Sequence, residues 1–377
     1  MQGPLAGRTI GLLSPWASRL GGGVFEAVVA HSEMLREAGA RVHVFALADR
    51  HSEEDRGRFH PDTIVHTVAG RGPGAIGYAP TLIDTMLSAP LDLLHLHGIW
   101  QYASYAGQRW AAKTGRPYVI SPHGMLDPWI VARGKAKKAA ARLVYERRSW
   151  KRASVLHALT GSEAADIARE AGRRDSIVIP NAGPAPGPMP TEGRAPAIGY
   201  IGRIHPKKNI AALVEAWHRL DGEGRLPSDA RLTIAGWGAE EDVAALKSLL
   251  KKGSDTAQFV GPVFGAEKER ILHGSRFIAL PSHSEGLPMA MLEAWAVPTP
   301  TIMTTNCNLP EGFAAGAALD CGVAVDTIAA TLYRALTMDD SAWLAMAGAA
   351  RDLMEGAFSA ATVRARWSDA YLELIEA

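Results

Sequence analysis

The sequence predicts an α/β protein of two Rossmann-like, doubly wound domains that face a cleft. Three observations lead there. At 377 residues the chain exceeds what one hydrophobic core usually serves. Short apolar runs rich in β-branched residues alternate with helical patterns almost throughout, which implies parallel sheets covered on both faces. Near the middle, NAGPAPGPMPTEGRAPA (181–197) is rich in Pro and Gly and almost free of core residues, the mark of a linker.

The elements follow in order. TIGLLS (9–14) opens the series, then the helical pattern 24–38 and the runs VHVFAL (42–47), TIVHTV (63–68) and LDLLHLH (91–97). Helix 101–114, YVISPH (118–123), helix 135–151, VLHALT (155–160), helix 162–171 and SIVIPN (176–181) complete the first half. The second half repeats the rhythm with AIGYIG (197–202), helix 208–220, ARLTIAG (230–236), helix 239–251 and AQFVGP (257–262). Helix 266–274, RFIALP (276–281), helix 288–297, TPTIMTT (299–305) and helix 324–337 then follow. Pro288 suits a first helical position and puts that helix start near Leu287. The expected domain boundaries are 1–183 and 184–357, with a C-terminal segment 358–377.

Composition narrows the class. With 47% hydrophobic and 21% charged residues the chain is an ordinary globular protein. No apolar run approaches the roughly 20 residues needed to span a bilayer. The start MQGPLAGRTIGLLSP lacks the charged region and long apolar stretch of a signal peptide. Cys307 and Cys321 have no CxxC spacing, which argues against a disulfide scaffold or a cysteine-based zinc site. A cytoplasmic protein is expected. The net charge of +1 is unevenly spread: residues 133–152 carry nine Lys or Arg against Glu146, a local +8 that leaves −7 for the remainder.

In doubly wound sheets ligands sit beyond the C-terminal ends of the strands. The loops to inspect are therefore 14–23, 97–100, 121–128, 202–209, 236–240, 261–265 and 281–288. GRIHPKKN brings Arg203 and Lys208 to the start of a helix, whose free N–H groups and dipole attract anions. Two cations there suit a di- or triphosphate, a solvated first turn being the plain alternative. PSHSEGLPMAMLEAW (281–295) places Glu285 in a loop and Glu293 inside an apolar run. Glutamate is seldom buried without a partner, so Glu293 either lies on a surface helix or holds something in a cleft. Both carboxylates reach one ligand lying along the helix's N-terminal flank, where they accept from paired hydroxyls such as those of a ribose or hexose.

GRIHPKKN followed some eighty residues later by PSHSEGLPMAMLEA resembles the retaining glycosyltransferases of family 4, which have the GT-B fold. The second stretch matches their E-x7-E motif. LGGGVFEAV (20–28), SPHGMLDPW (121–129), IPNAG (179–183) and FVGPV (259–263) also match, and with CNLPEG (307–312) the chain is similar to bacterial members that build polysaccharides. The likeness implies a first, acceptor-binding domain, a second, nucleotide-sugar-binding domain, and a C-terminal helix, FSAATVRARWSDAYLELI, that crosses back onto the first domain. It implies that Arg203 and Lys208 neutralise the nucleoside diphosphate leaving group in place of a metal ion. Glu285 would contact donor-sugar hydroxyls, Glu293 the ribose, and His123 the transferred sugar. Gly21, Gly22 and Gly23 would form the loop facing donor and acceptor, where a side chain would block close approach. Val260 and Gly261 would border the base, and Gly202, Gly236, Gly286, Leu287 and Pro288 would complete the donor contacts. No cofactor and no metal are implied. The chain departs from the family where EGLP stands for EGFG and where AGWG (235–238) replaces a loop containing an acidic residue. The second departure bears on base and diphosphate contacts.

The implied activity is retaining transfer of a hexose-type sugar from a nucleotide-diphosphate sugar to a glycan acceptor, lipid-linked, in bacterial surface polysaccharide synthesis. A nucleotide-sugar 2-epimerase and a non-catalytic nucleotide-sugar or glycan-binding protein share the scaffold. Gly21–Gly23 with Asp49 loosely resembles a dinucleotide fingerprint, but Glu26 occupies the third glycine position of G-x-G-x-x-G. His95 and His97 form an H-x-H that puts both side chains on one strand face; without further ligands, His97 is expected to line the cleft and His95 to pack beneath it. In the basic stretch, Leu143, Val144, Tyr145 and Trp150 interleave with the cations, as in helices that rest on anionic membranes. A solvated face is the alternative, and no nucleic-acid motif accompanies the charge. The expected location is the cytoplasm, with peripheral contact at the inner face of the cell membrane.

Overall fold

Two parallel sheets organise the chain, and one strand permutation appears in both. The computed structural model describes residues 3–377. The first sheet contains β1 (Thr9–Trp16), β2 (Arg41–Leu47), β3 (Ile64–Val68), β4 (Leu93–His97), β5 (Tyr118–Ser121), β6 (Val155–Ala158) and β7 (Ile177–Val178). Its order is β3-β2-β1-β4-β5-β6-β7, with every neighbouring pair parallel. The second contains β8 (Ala197–Ile201), β9 (Arg231–Ala235), β10 (Ala257–Gly261), β11 (Phe277–Leu280), β12 (Thr301–Met303) and β13 (Ala318–Asp320). Its order is β10-β9-β8-β11-β12-β13, again parallel throughout.

Both sheets therefore reverse direction once, between β1 and β4 and between β8 and β11. In open α/β sheets the ligand crevice lies outside the carboxyl ends of the strands at such a reversal. The chain divides into two compact units, the first running to Asn181 and including Ala361–Ala377, the second covering Ala182–Ala360. The closing helix, Ala360–Glu376, thus belongs almost entirely to the first unit.

The strands read as continuous apolar runs because helices cover both faces. Ile10, Leu12 and Leu13 of β1, all of β4, and Phe277–Leu280 of β11 are buried. Trp110, Tyr118 and Trp150 anchor the first core; Trp217, Trp295 and Trp343 anchor the second. Complete burial of such rings contributes about 1.5–3 kcal/mol each.

The structure departs from the sequence-based elements in particular places. Helix 135–151 is divided into Lys135–Ala141, a π-helical turn Arg142–Glu146, and Arg147–Arg152. The turn points Glu146 inward, where Oε1 accepts from Trp100 N (2.5 Å) and Ser104 Oγ (2.8 Å). Trp150 follows it into the core at 2% exposure, so the expected interleaving of Trp150 with the cations is corrected. Tyr145 is also partly withdrawn, its hydroxyl donating to the Trp100 carbonyl (3.0 Å). Lys208 does not open a helix directly; it ends a 3-10 turn, Pro206–Lys208, and Asn209 at φ 57° redirects the chain into helix Ile210–Gly222. Pro288 precedes its helix as an extended cap, the helix being Met289–Ala296. β13 and helix Asp340–Glu355 were not expected.

Candidate functional site

The reversal in the second sheet gathers most of the charged residues singled out in the sequence. The chain leaves β8 through Gly202 and Arg203 and meets the loop leaving β9, with Ile204 N donating to Trp237 O (2.7 Å). A Cβ at Gly236 would collide with the Gly202 carbonyl oxygen, so the two loops approach this closely only with glycine there. Gly236 N in turn donates to the Gly261 carbonyl (2.8 Å), joining the mouth of β10. Arg203 is exposed, while its carbonyl accepts from the Tyr200 hydroxyl (2.9 Å).

The loop leaving β11 is fixed from both sides. His283 N donates to Lys207 O (2.9 Å) toward β8; Glu285 N donates to Asn306 O (3.0 Å) toward β12. Asn308, at φ 58°, donates through Nδ2 to the Glu285 carbonyl (2.6 Å). The Glu285 side chain then receives two donors on the same oxygen, Lys208 Nζ (2.5 Å) and Ser282 Oγ (2.6 Å). Both contacts fall on Oε1, and neither uses Oε2. Gly286 and Leu287 are half-buried in this loop, and Pro288 is buried behind it.

Glu293 explains its place in an apolar helix. Met291, Leu292, Ala294, Trp295 and Ala296 are buried, whereas Met289, Ala290, Glu293 and Val297 form a half-buried stripe at helical spacing. Its Oε1 accepts from Lys268 Nζ (2.5 Å), on helix Gly265–Gly274. Val260, Gly261 and the exposed Trp237 and Phe264 lie at the ends of β9 and β10.

In the first unit the glycines lie after β1: a 3-10 turn Arg19–Gly21, Gly22 at φ 54°, and Gly23 opening helix Gly23–Glu37. Ser18 Oγ donates to Asp49 Oδ2 (2.7 Å), and Arg19 pairs with Asp55, pinning the loop. Asp49 is thus engaged with Ser18 rather than standing as the ribose acid of a dinucleotide site. His123, at φ 53°, follows β5. The buried Glu163 secures this loop, its Oε1 accepting from Gly124 N (2.6 Å) and Oε2 from Leu159 N (2.8 Å).

Beneath His123 lies a cluster that the sequence did not reveal. His157 Nε2 donates to the Ile179 carbonyl (2.8 Å), which fixes its proton. Ser121 Oγ must then donate to His157 Nδ1 (2.6 Å) and accept from His95 Nε2 (2.6 Å). That leaves His95 Nδ1 to accept from the Tyr371 hydroxyl (2.6 Å), which accepts from His31 Nε2 (3.0 Å). One terminal acceptor orders every proton in the chain. Burial keeps these rings neutral: His31 and His157 fall to about 3, and His95 well below its usual value. His97 is buried too, a correction to its expected place lining a cleft.

His31, His95 and His97 bring ring nitrogens within 4.8 Å of one another, the one such group among the described residues. Both His95 nitrogens and His31 Nε2 are already hydrogen-bonded, and the group has no carboxylate or thiol. A dication there would be buried without compensating charge, at high cost. The cluster fits a hydrogen-bond network better than a metal site. Cys307 and Cys321 are buried free thiols, pushed up to about 12 chiefly by burial.

Two family models divide the chain between them. A glycosyl transferase 4-like domain matches residues 22–182, and the model described as glycosyl transferases group 1 matches residues 195–338. The chain belongs to the GT-B glycosyltransferase superfamily. A glycogen synthase of Mycobacterium tuberculosis is 28% identical over 189 residues, 48% of this chain and 45% of that protein. An O-antigen chain mannosyltransferase B of Escherichia coli is 29% identical over 153 residues, 40% of this chain and 39% of that protein. The matches thus span less than half the length of either relative. The fold resembles that of Anabaena Alr3699/HepE in complex with UDP, with TM-score 0.77 and 16% identity, covering 97% of this chain and 100% of that one.

Ser282, Asn306, Asn308 and Lys268 position the carboxylates and escaped the sequence reading. The signals were that Ser282 lies inside PSHSEGLPMAMLEAW and Asn308 inside CNLPEG. Lys268 has none, being one cation of a mixed-charge helix.

Proposed function

We propose that the protein is a retaining, metal-independent glycosyltransferase. It moves a hexose-type sugar from a nucleotide-diphosphate sugar to a lipid-linked glycan acceptor in bacterial surface polysaccharide synthesis. The observation that carries this reading is the Lys208–Glu285 pair, which joins the mouths of β8 and β11 at the reversal of the second sheet. Arg203 and Lys208 supply positive charge to a diphosphate leaving group, and charge-assisted hydrogen bonds of this kind contribute about 1.5–3 kcal/mol each. Glu285 Oε2 accepts from sugar hydroxyls and Glu293 from the ribose diol. Gly202, Gly236, Gly261 and Val260 border the nucleotide, and His123 with Gly21–Gly23 serves the transferred sugar. The sequence has no Asp-x-Asp motif to hold a divalent ion against the diphosphate.

A panel of nucleotide sugars tested for binding and transfer, with and without excess EDTA, examines this directly. Transfer with retained anomeric configuration in EDTA is the expected result. Strict dependence on a divalent ion would refute the metal-free part. Isomerisation of a donor without any acceptor would favour the epimerase alternative.

The same proposal places the protein at the cytosolic face of an anionic membrane. No helix among the described residues is long and apolar enough to cross one. The support is the +8 stretch, with Leu143 and Val144 at 73% and 63% exposure and Arg133 stacked 3.6 Å over the exposed Trp129. Lys138 and Arg142 are held internally, by the Ile130 carbonyl and by Glu170, so Lys135, Lys137, Arg147 and Arg148 are the cations to test. Each contributes about 1 kcal/mol near an anionic surface. Replacing the four by Glu should abolish sedimentation with anionic vesicles and leave nucleotide binding intact. A wild type that ignores such vesicles ends the membrane reading.

A further inference from the structure

The hydrogen bond between His97 Nδ1 and His123 Nε2 (2.9 Å) stands apart from the ordered chain that runs from His31 to the Ile179 carbonyl. Burial keeps both rings neutral near pH 7. It drives His97 well below its ordinary value, with neighbouring imidazoles adding to the effect, and brings His123 down to about 4. Between two neutral imidazoles one ring donates and the other accepts. His97 Nε2 is buried and has no hydrogen-bond partner among the described residues. If His123 donated, the single proton of His97 would lie on that buried Nε2 with nothing to receive it. If His97 Nδ1 donates, the orphan is an unprotonated nitrogen and no donor is stranded. Buried N–H groups without partners are the rarer of the two.

We infer that His97 is a positioning residue that fixes His123 as its neutral Nδ1–H tautomer, so that His123 meets a ligand as a hydrogen-bond donor and not as a base. The proton on one ring nitrogen is set by the bond that the other makes. With Nε2 occupied by the His97 N–H, His123 has no free lone pair and one N–H, on Nδ1, left to donate. Its backbone is held at φ 53° while Glu163 secures Gly124, which keeps that N–H in place. The ligand, resting on the function proposed above, is an oxygen of the transferred sugar.

The experiment uses full-length protein with 15N-labelled histidine and long-range 1H–15N correlation, the His123 signals being assigned through their loss in His123→Gln. His97 and His123 should both show a protonated Nδ1 and a bare Nε2 at pH 7.5. An Nε2-protonated His123 in the wild type overturns the inference. His97→Asn sets an amide N–H near the position of Nδ1 and should preserve the His123 tautomer. His97→Leu should release His123 to the Nε2–H form. In a transfer assay His97→Leu should lower kcat about tenfold with the donor KM within about twofold, and His97→Asn should restore most of the loss. Equal losses in the two variants with an unchanged His123 tautomer also overturn it. If the leucine variant does not fold, the wild-type spectrum and the asparagine variant still decide. The spectra need no reaction: a protein that binds no nucleotide sugar sinks the functional reading, while the tautomer stands or falls on the spectrum alone.

Discussion

The reversal points of the two sheets share a strand order and differ in chemistry. In the first unit, across β4, β5 and β6, neutral imidazoles and hydroxyls line up behind His123, with their protons ordered by the Ile179 carbonyl. In the second, between β8 and β11, ammonium groups meet carboxylates at 2.5 Å, as Lys208 with Glu285 and Lys268 with Glu293. A neutral network fixes the direction of a hydrogen bond at little electrostatic cost but must be buried and complete, since each unmet group is expensive. A charged site can stay partly open to solvent and exchange one partner for an arriving ligand. The two units thus carry opposite kinds of chemistry on one strand order, and acid separates them most strongly.

Every buried histidine among the described residues lies in the first unit. For His31 and His157 the folded value, about 3, is far below the ordinary 6.5, so the unfolded chain binds more protons below pH 6.5. Their stabilising contribution is whole above pH 6.5 and is lost as pH falls toward 3, at about 1.4 kcal/mol per pH unit for each ring. Hydrogen exchange of the whole protein at pH 7.5 and 4.5 should show protection factors collapsing in β4, β5, β6 and helix Ala360–Glu376 before β8, β9 and β11. Equal loss in both units would remove this contrast between them.

Lys208→Ala attacks the charged side of the comparison. It deletes the partner of Glu285 and one cation facing the proposed diphosphate, and nucleoside diphosphate binding should weaken about ten- to a hundredfold by calorimetry. The histidine tautomers should not change. Tyr371→Phe attacks the neutral side. It strands His31 Nε2–H and His95 Nδ1 together, which should cost about 1–3 kcal/mol in urea unfolding and leave nucleotide binding unaltered. Loss of nucleotide binding in Tyr371→Phe would show that the two regions are not chemically independent.

The sequence makes the charged region far easier to read than the neutral one, and the reason is range. Arg203, Lys208 and Glu285 stand in loops or turns that strand periodicity locates, and Glu293, a charge in an apolar run, advertises itself. The histidine chain joins residues with no sequence relation: Tyr371 lies 276 positions from His95 and 340 from His31. The H-x-H spacing correctly put His95 and His97 on one face but could not say that the face was sealed. Trp150 was misplaced because a π-helical turn shifts the helical phase, which a period of 3.6 residues cannot anticipate. β13, only Ala318–Asp320, is too short and too poor in β-branched residues to register, whereas helix Asp340–Glu355 carries a visible N-cap in Asp339.

The smallest expected effect tests whether the two carboxylates of the second unit divide their work. Glu293→Gln keeps the side chain's size and exchanges one acceptor oxygen for a donor, so a ribose diol bound as proposed would lose one of its hydrogen bonds. Lys268 simultaneously loses the charge it pairs with, but it is partly exposed and water replaces most of that interaction. Nucleoside diphosphate binding should therefore weaken only about three- to tenfold, by a neutral hydrogen bond's worth of about 1 kcal/mol. Lys268→Ala, which leaves Glu293 free to accept, should shift it less than threefold. Glu285→Gln should leave nucleoside diphosphate binding within about twofold and reduce sugar transfer instead, because its open Oε2 is assigned to the sugar and Lys208 keeps an oxygen to bond. Equal weakening of nucleoside diphosphate binding by Glu285→Gln and Glu293→Gln would mean that both carboxylates serve the nucleotide, and the division of roles between loop and helix would be wrong.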